Sequence, residues 1–302
     1  MEKTTKAYVA ITLQSLIIGF SFLIVKIALQ NANTIDLLAH RFSAAAISVW
    51  MFNFFRKNKI HIEKSDWLKI IPYSVAYPIC FFLFQTIGLA KISSSQAGII
   101  NAIVPILTLI AAKIILGEEI KNSQKLLIVL SVLGVIFINI MNGFNMGDYS
   151  YIGFIFILLS TISFSAYNVL VKKLTETYSS FTIAYVMSST GFIVFNLISI
   201  VSHIIKGDLN NYFEPFTHVS FILAVIYLGI LSSLITTLLL TYALSGLEAT
   251  KVGLFNNVST VVSIFAGAIF LHEPLYYYHY IGIMAVLVGT VGFNLLSAKS
   301  NS

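Results

Sequence analysis

The chain contains few charged residues for its length. Of its 302 residues, 10% are charged and 58% are hydrophobic, whereas soluble domains carry about 25% charged residues. A larger soluble core does not account for the deficit, because a chain of this size still needs a polar surface. The composition therefore indicates an integral membrane protein. The net charge of +6 does not indicate nucleic-acid binding, because the cations lie in short connections between apolar runs, as membrane topology requires.

Cysteines and enzyme motifs are also missing or nearly so. The single Cys80 lies in an apolar run, which excludes a disulfide framework and a cysteine-based metal site. His272 and Glu273 lack the second histidine of a zinc-protease helix, and there is no phosphate-binding glycine loop. The sequence thus predicts a protein that is not an enzyme, with no catalytic residue, no metal and no cofactor.

Much of the chain carries the same pattern twice, 155 positions apart. The matched positions are Gly98 and Gly253, Asn101 and Asn256, Ala111 and Ala266, Leu116 and Leu271, Glu118 and Glu273, Gly134 and Gly289, and Asn139 and Asn294. A duplicated hydrophobic half is typical of membrane transporters, which bind substrate at the interface between repeats.

Ten apolar runs are long enough to cross a bilayer, whose hydrocarbon core of about 30 Å needs roughly 20 apolar residues per helix. Such long and uniformly apolar runs fit helices and not barrel strands. We predict an all-α polytopic membrane protein with spans at residues 7–29, 34–55, 67–90, 94–116, 124–141, 151–172, 180–204, 217–240, 249–271 and 276–297.

The distribution of lysine and arginine predicts the orientation. Cations are frequent in the connections on one side, including Arg56, Lys57, Lys121, Lys125 and Lys173, whereas the other side holds little beyond Lys91 and Lys206. We therefore expect both termini in the cytoplasm. Because five spans per repeat is an odd number, the second copy must enter the membrane from the opposite side. The predicted repeats are residues 1–142 and 151–298, of inverted topology.

Two asparagines at matched positions are the first candidates for a substrate site. Asn101 in span 4 and Asn256 in span 9 each belong to a stripe of small or polar residues on an apolar helix. Lipid offers no partner to an amide, so these side chains must face protein or a water-filled cavity. We favour cavity lining for this pair. For Thr108 and Ser263 on the same stripes we favour helix packing.

Further polar side chains are expected near the cavity on three other spans. Pro78 should kink span 3, since it removes a backbone hydrogen bond. These candidate substrate-binding residues are Tyr77, Tyr167, Asn168, Ser233 and Thr237.

Three cations within apolar runs complete the candidate site: Lys26, His40 and Arg41. One interpretation is that they extend to the membrane interface, with Asp36 neutralising one of them. The other is a cationic ring at the outer mouth of the cavity that attracts a carboxylate or phosphate, with Arg41 the better anion ligand. Since no acid lies near a predicted midplane, proton coupling through a carboxylate is not expected. Facilitated diffusion, exchange and coupling through the substrate's own charge stay open.

Several short motifs occur in the same order along both halves of the chain. They are Pro105, Leu116-Gly117-Glu118 and Gly134 in the first half, Leu271-His272-Glu273-Pro274 and Gly289 in the second, Gly19-Phe20-Ser21-Phe22 with Lys26, Arg41-Phe42 with Ala44, and Ser165-Ala166-Tyr167-Asn168 with Lys172. In this order the chain resembles EamA-type members of the drug/metabolite transporter superfamily over nearly its whole length. It departs from their pattern at Thr260, where the second repeat usually has proline, and at His272, which replaces a glycine.

The resemblance implies ten helices in two inverted repeats, a central cavity, alternating access and a small organic solute. Because the candidate cavity is rich in hydroxyls, amides and tyrosines, we expect a small polar or zwitterionic, amino-acid-like metabolite, exported across the cell membrane. The expected partners are this solute and the lipid bilayer, with a homodimer left open. The alternatives are uptake, a non-transporting accessory or sensor protein and, from another class, a lipid-modifying membrane enzyme.

Overall fold

The computed structural model describes residues 2–57, 60–92, 94–141, 150–270 and 275–300, and every element in them is helical. The α-helices are α1 (Glu2–Ala28), α2 (Thr34–Phe55), α3 (Lys64–Ser74), α4 (Phe81–Leu89), α5 (Ser94–Asn101), α6 (Val104–Leu116), α7 (Asn122–Met141), α8 (Tyr151–Thr177), α9 (Ser180–Lys206), α10 (Val219–Ile226), α11 (Thr236–Gly246), α12 (Ala249–Leu254), α13 (Asn256–Phe270) and α14 (Tyr277–Ser300). Two π-helical segments, Val75–Cys80 and Tyr227–Ile235, and one 3₁₀ segment, Leu209–Thr217, connect neighbouring helices. The motif residues Leu271 to Pro274 lie outside the described residues.

The helices have the lengths and surfaces of a multi-pass membrane protein. Among the described residues, seven are long and apolar enough to cross a membrane: Lys3–Ala28, Thr34–Phe55, Lys64–Leu89, Tyr151–Thr177, Ser180–Lys206, Val219–Gly246 and Tyr277–Leu296. Large apolar side chains remain exposed on their outer faces and on the shorter helices, as at Ile114 and Ile205. Exposed apolar surface of this extent suits lipid and not water. The prediction of an all-α membrane protein is confirmed.

Two of the predicted spans are each broken into two helices. The span predicted at 94–116 consists of α5 and α6, and Pro105 lies in the first turn of α6. A proline is tolerated there because the backbone N–H that it lacks would have no acceptor within the helix. The span predicted at 249–271 consists of α12 and α13, which are separated only by Phe255. This second break forms although Thr260 replaces the proline expected there. The count of ten spans stays a prediction, since neither broken span is one continuous helix.

The two π-helical segments also lie at matched positions of the repeat. Adding 155 to Val75–Cys80 gives residues 230–235, which fall within Tyr227–Ile235. In the first segment Tyr77 has extended backbone angles, with φ −147° and ψ 121°. The predicted kink at Pro78 is therefore confirmed. The second segment contains no proline, and its π-helical insertion is the kind of feature that kinks a helix.

The matched glycines let helix backbones approach each other closely. A Cβ atom added at Gly134 would lie 2.8 Å from the Gly282 carbonyl oxygen, and one at Gly289 would lie 2.5 Å from the carbonyl oxygen of Leu127. These contacts join α7 to α14. Small residues at such crossings allow tight van der Waals packing where lipid supplies no hydrophobic driving force. The repeated Gly134 and Gly289 thus hold the ends of the two halves together.

Candidate functional site

A central cavity lies where the two broken spans meet the two π-helical segments. Its empty volume is about 500 Å³, including space open to solvent. Side chains from both halves of the chain line it: Gln14, Ile18, Ser21 and Phe22 of α1, Tyr77, Phe81, Phe82 and Gln85 around the first kink, Asn101 of α5, Phe164 of α8, Ser232, Thr236 and Leu240 around the second kink, and Asn256 of α13.

The predicted asparagine pair meets in this cavity. The Asn256 Nδ2 group donates to the backbone carbonyl of Asn101 at 3.4 Å, and both side chains line the cavity. Asn101 Oδ1 lies 2.8 Å from the Thr161 hydroxyl, which also lies 2.8 Å from the Ile157 carbonyl oxygen. The Asn101 Nδ2 group has no hydrogen-bond partner among the described residues. An unpartnered buried amide costs free energy unless a ligand or water supplies the acceptor. This geometry favours a role in binding for the pair.

The stripe residue Thr108 lies elsewhere. It is fully buried, and a Cβ atom added at Gly253 would lie 3.0 Å from its side chain. Thr108 therefore packs α6 against α12, as we favoured from the sequence.

Tyr77 forms an aromatic wall of the cavity. Its ring stacks on Tyr167 at 4.5 Å between centroids and lies 5.3 Å from the Phe81 ring. The Tyr77 hydroxyl pairs with Thr237 Oγ1 at 3.3 Å. Tyr167 is fully buried behind Tyr77, and its hydroxyl donates to the Met187 sulfur. Tyr77 thus reaches the cavity, whereas Tyr167 and Thr237 position it from behind.

Two glutamines were missed as site residues by the sequence reasoning. Gln14 and Gln85 line the cavity, are 6% and 8% exposed, and make no hydrogen bond with another described residue. A glutamine within an apolar run is the only signal in the sequence that could have indicated them. Their free donors and acceptors add to those of Asn101, so the cavity has unused hydrogen-bonding capacity on three helices.

Arg41 lies one side chain behind the cavity wall. It is 1% exposed, and its Nε donates to Ser233 Oγ at 2.7 Å, while Nη2 donates to Ser232 Oγ at 3.1 Å. Its guanidinium carbon lies 4.0 Å from the centroid of the Phe82 ring. Arg41 therefore neither extends to the membrane interface nor lines an open mouth, and both predictions for its position are wrong. Packing between α2 and the second π-helical segment, invisible in the sequence, decides the position.

His40 and Asp36 contact other residues than expected. His40 Nε2 donates to the Tyr212 carbonyl at 2.8 Å. Asp36 accepts from His203 Nε2 at 3.0 Å and from Asn33 Nδ2 at 2.6 Å, so it neutralises neither His40 nor Arg41. Tyr212 belongs to the 3₁₀ segment outside the membrane helices, and burial and the nearby Asp36 carboxylate raise the pKa of its phenol. Its hydroxyl is thus neutral and donates to Asn196.

Lys26 supports a helix end and is not part of a cationic ring. Its Nζ donates to the Ile92 carbonyl at 3.3 Å, just after α4. In the second half Lys172 donates to the carbonyls of Leu244 and Leu247 at the end of α11. Ile92 and Leu247 are 155 positions apart, so both halves use a lysine of their first helix in the same way. Cations satisfy the free carbonyls at a helix C-terminus.

Glu118 connects the two halves at another helix end. Its carboxylate accepts from the backbone N–H of Ala249 at 2.8 Å and from that of Thr250 at 3.2 Å, and from the Thr250 hydroxyl at 2.8 Å. It thereby caps the first turn of α12, which starts a broken span.

Asn168 is fully buried on α8, and neither polar atom of its amide has a hydrogen-bond partner among the described residues. No group of three potential metal ligands occurs in the described part of the chain.

Comparison with known proteins agrees with this architecture. The model of the EamA-like transporter family matches residues 5–140 and 151–295. The chain belongs to this family. The EamA-like protein is 44% identical over 294 residues to Bacillus subtilis (strain 168) YcxC, called an uncharacterized transporter, with 97% of this chain and 94% of the relative covered.

Two further comparisons extend the likeness. This EamA-like protein is 27% identical over 287 residues to an uncharacterized transporter of Archaeoglobus fulgidus, with 94% and 97% of the two chains covered. A known crystal structure superposes with a TM-score of 0.75 at 16% identity and covers 98% of this chain and 99% of the other. At this identity the structural likeness concerns the fold alone. Family membership makes the protein a multi-pass membrane transporter and not an enzyme.

Proposed function

We propose that this EamA-like protein exports a small polar or zwitterionic, amino-acid-like metabolite across the cell membrane by alternating access. The observation that carries the proposal is the cavity at the junction of both broken spans, where Gln14 and Gln85 belong to the lining and the Asn101 Nδ2 group has no hydrogen-bond partner among the described residues. Discontinuous helices between repeats are where transporters bind their substrates. The lining combines amides, hydroxyls and aromatic rings and contains no acid, which suits a small solute with both polar and apolar parts.

The proposal includes an inverted arrangement of two five-helix repeats, residues 1–142 and 151–298, with both termini in the cytoplasm. Three matched features support it: the broken spans, the π-helical segments and the lysine contacts to Ile92 and Leu247. Related halves of this kind let a central site face either side when one half rocks against the other. The homodimer stays a prediction that light scattering of the purified protein would test.

The experiment compares metabolites in spent medium and cytosol for cells that overproduce the protein and for cells that lack it. We expect one solute class to be enriched outside with overproduction and retained inside without the protein. Enrichment inside on overproduction would reverse the direction to uptake. If purified protein in liposomes moves none of the solutes that differ between the strains, the accessory or sensor alternative replaces transport.

A further inference from the structure

The cavity wall conceals a buried cation that no acid neutralises. Arg41 is among the largest fully buried side chains, and no described carboxylate forms an ion pair with it. Asp36, the acid closest to it along α2, is used by His203, Ser199 and Asn33. Lys26 of α1 is held at the Ile92 carbonyl. The charge on Arg41 is therefore unshared within the described part of the protein.

Such a charge is costly in the interior of a membrane protein. A buried ion is tolerated when it is paired and hydrogen-bonded, and an ionised side chain within membrane helices usually marks a substrate pathway. Here the neighbours of Arg41 are two hydroxyls and an aromatic face, from Ser232, Ser233 and Phe82. Hydroxyls and a ring face stabilise a cation only in part. The pocket thus favours the arrival of an anion.

The guanidinium also keeps free donors for that anion. It has five N–H groups, of which Nε binds Ser233 and Nη2 binds the hydroxyl and the carbonyl of Ser232. Nη1 donates no hydrogen bond to a described residue. The two N–H groups of Nη1 can therefore donate charge-assisted hydrogen bonds to a carboxylate.

One of the two serines and the ring that hold Arg41 belong to the cavity wall. Ser232 and Phe82 both line the cavity and both contact the guanidinium. The second π-helical segment reaches Arg41 because Gly229 has no side chain, since a Cβ atom there would lie 2.6 Å from the Arg41 carbonyl oxygen. A small displacement of Phe82 or of this segment would expose the Nη1 group of Arg41 to a solute in the cavity.

We propose that Arg41 binds the carboxylate of the transported solute. This inference rests on the proposed transport function and specifies its substrate class as a compound with a single carboxylate. One cation without a second beside it matches a monoanionic group better than a doubly charged phosphate. The amides of Gln14, Gln85 and Asn101 then bind the remaining polar groups of the solute, and the rings of Tyr77 and Phe81 pack against its carbon skeleton.

The test uses purified protein and probes that differ only in the carboxylate: L-alanine and L-alaninamide, L-phenylalanine and L-phenylalaninamide, propionate and propionamide. The chain has two arginines, Arg41 and the exposed Arg56, so selective ¹⁵N labelling of arginine gives one side-chain Nε signal for each. We expect at least one acid to shift the Arg41 signal and raise the Tm, while its amide does neither. Arg41→Gln should weaken binding of that acid about tenfold or more, whereas the matched control Arg56→Gln should not.

Arg41→Lys provides a second variant if Arg41→Gln does not fold, because it keeps the charge and loses the planar set of guanidinium donors; we expect intermediate affinity. Equal binding of an acid and its amide, unchanged binding by Arg41→Gln, or no shift of the Arg41 signal by any of the acids would overturn the proposal. Transport of a solute without a carboxylate, at the same rate in Arg41→Gln, would also overturn it and leave the transport function intact. Failure of the wild-type protein to move any solute would instead refute the proposed function, and this inference with it.

Discussion

The two halves of the chain, residues 2–141 and 150–300, fix a helix end in the same way but differ beside the cavity. Lys26 and Lys172 each donate to a backbone carbonyl after a kinked span, and the two carbonyls, of Ile92 and Leu247, are 155 positions apart. At the kinks themselves the halves diverge, because residues 77 and 78 are tyrosine and proline, whereas the matched residues 232 and 233 are both serine. The serines bind Arg41, and Tyr77 faces the cavity.

This difference distinguishes the residues that hold the two halves in the same fold from the residues that contact the substrate. A two-fold related scaffold needs the same contacts in both halves, and the lysines, breaks and glycines supply them. A solute without two-fold symmetry needs different groups on its two sides, and the unmatched residues at the kinks supply those. Substitutions of matched residues away from the cavity should therefore affect stability in both halves alike, whereas substitutions at the cavity, including the matched Asn101 and Asn256, should affect transport.

The largest effect is expected for the asparagine pair that both halves contribute to the cavity. The double substitution Asn101→Ala with Asn256→Ala should abolish transport, because it removes the free Nδ2 group and the contact across the cavity. Protein yield, membrane insertion and Tm should remain close to wild type. Flux of the exported solute from cells or liposomes provides the measurement.

Asn257→Ala is the matched control for that pair. Asn257 is adjacent in sequence, fully buried, and donates to Ser131 of α7 at 3.1 Å, away from the cavity. It should lower the Tm and leave flux per folded molecule unchanged. Unchanged flux in the double variant would assign Asn101 and Asn256 to helix packing.

A smaller effect is expected where the second kink contacts α2. Gly229→Ala would place a Cβ atom 2.6 Å from both Ala44 Cβ and the Arg41 carbonyl oxygen, so it should destabilise the fold by about 3 kcal/mol. The matched position in the first half, Ser74, already holds a side chain. Ser74→Ala removes only a hydroxyl bonded to Ile70 and should cost about 1 kcal/mol or less. Denaturation of both purified variants compares the halves directly, and equal losses would contradict the asymmetry of the two kinks.

The smallest effect is expected for the two lysines, and it should be equal in both halves. Lys26→Met and Lys172→Met each remove a cation from helix-end carbonyls and should cost about 1–2 kcal/mol. The exposed neighbours Lys91 and Lys173 provide the matched controls, since their replacement by methionine should change the Tm little. A loss of carboxylate binding in Lys26→Met at unchanged Tm would return Lys26 to the substrate site and break the comparison.

Much of the site could be predicted from residues that lipid cannot accommodate. An amide or a charge within an apolar helix must find a protein partner or a cavity, and this argument placed Asn101, Asn256 and Tyr77 at the cavity correctly. The same argument does not predict which neighbouring helix a side chain faces. It therefore grouped Arg41 with Lys26 and His40 at the outer mouth of the cavity, although Lys26 and His40 bind backbone carbonyls and Arg41 binds two serines.

The membrane class, the helical runs and the duplicated pattern follow from hydropathy and spacing, so they can be derived from the amino-acid sequence alone. Which polar groups remain unpartnered depends on what each helix packs against, so this property becomes apparent only in the folded chain. Gly229 brings a π-helical segment onto α2, and Ser199 and His203 of α9 occupy Asp36. With these two contacts between distant parts of the chain, Arg41 is buried beside the cavity and no acid in the described part of the protein pairs with it.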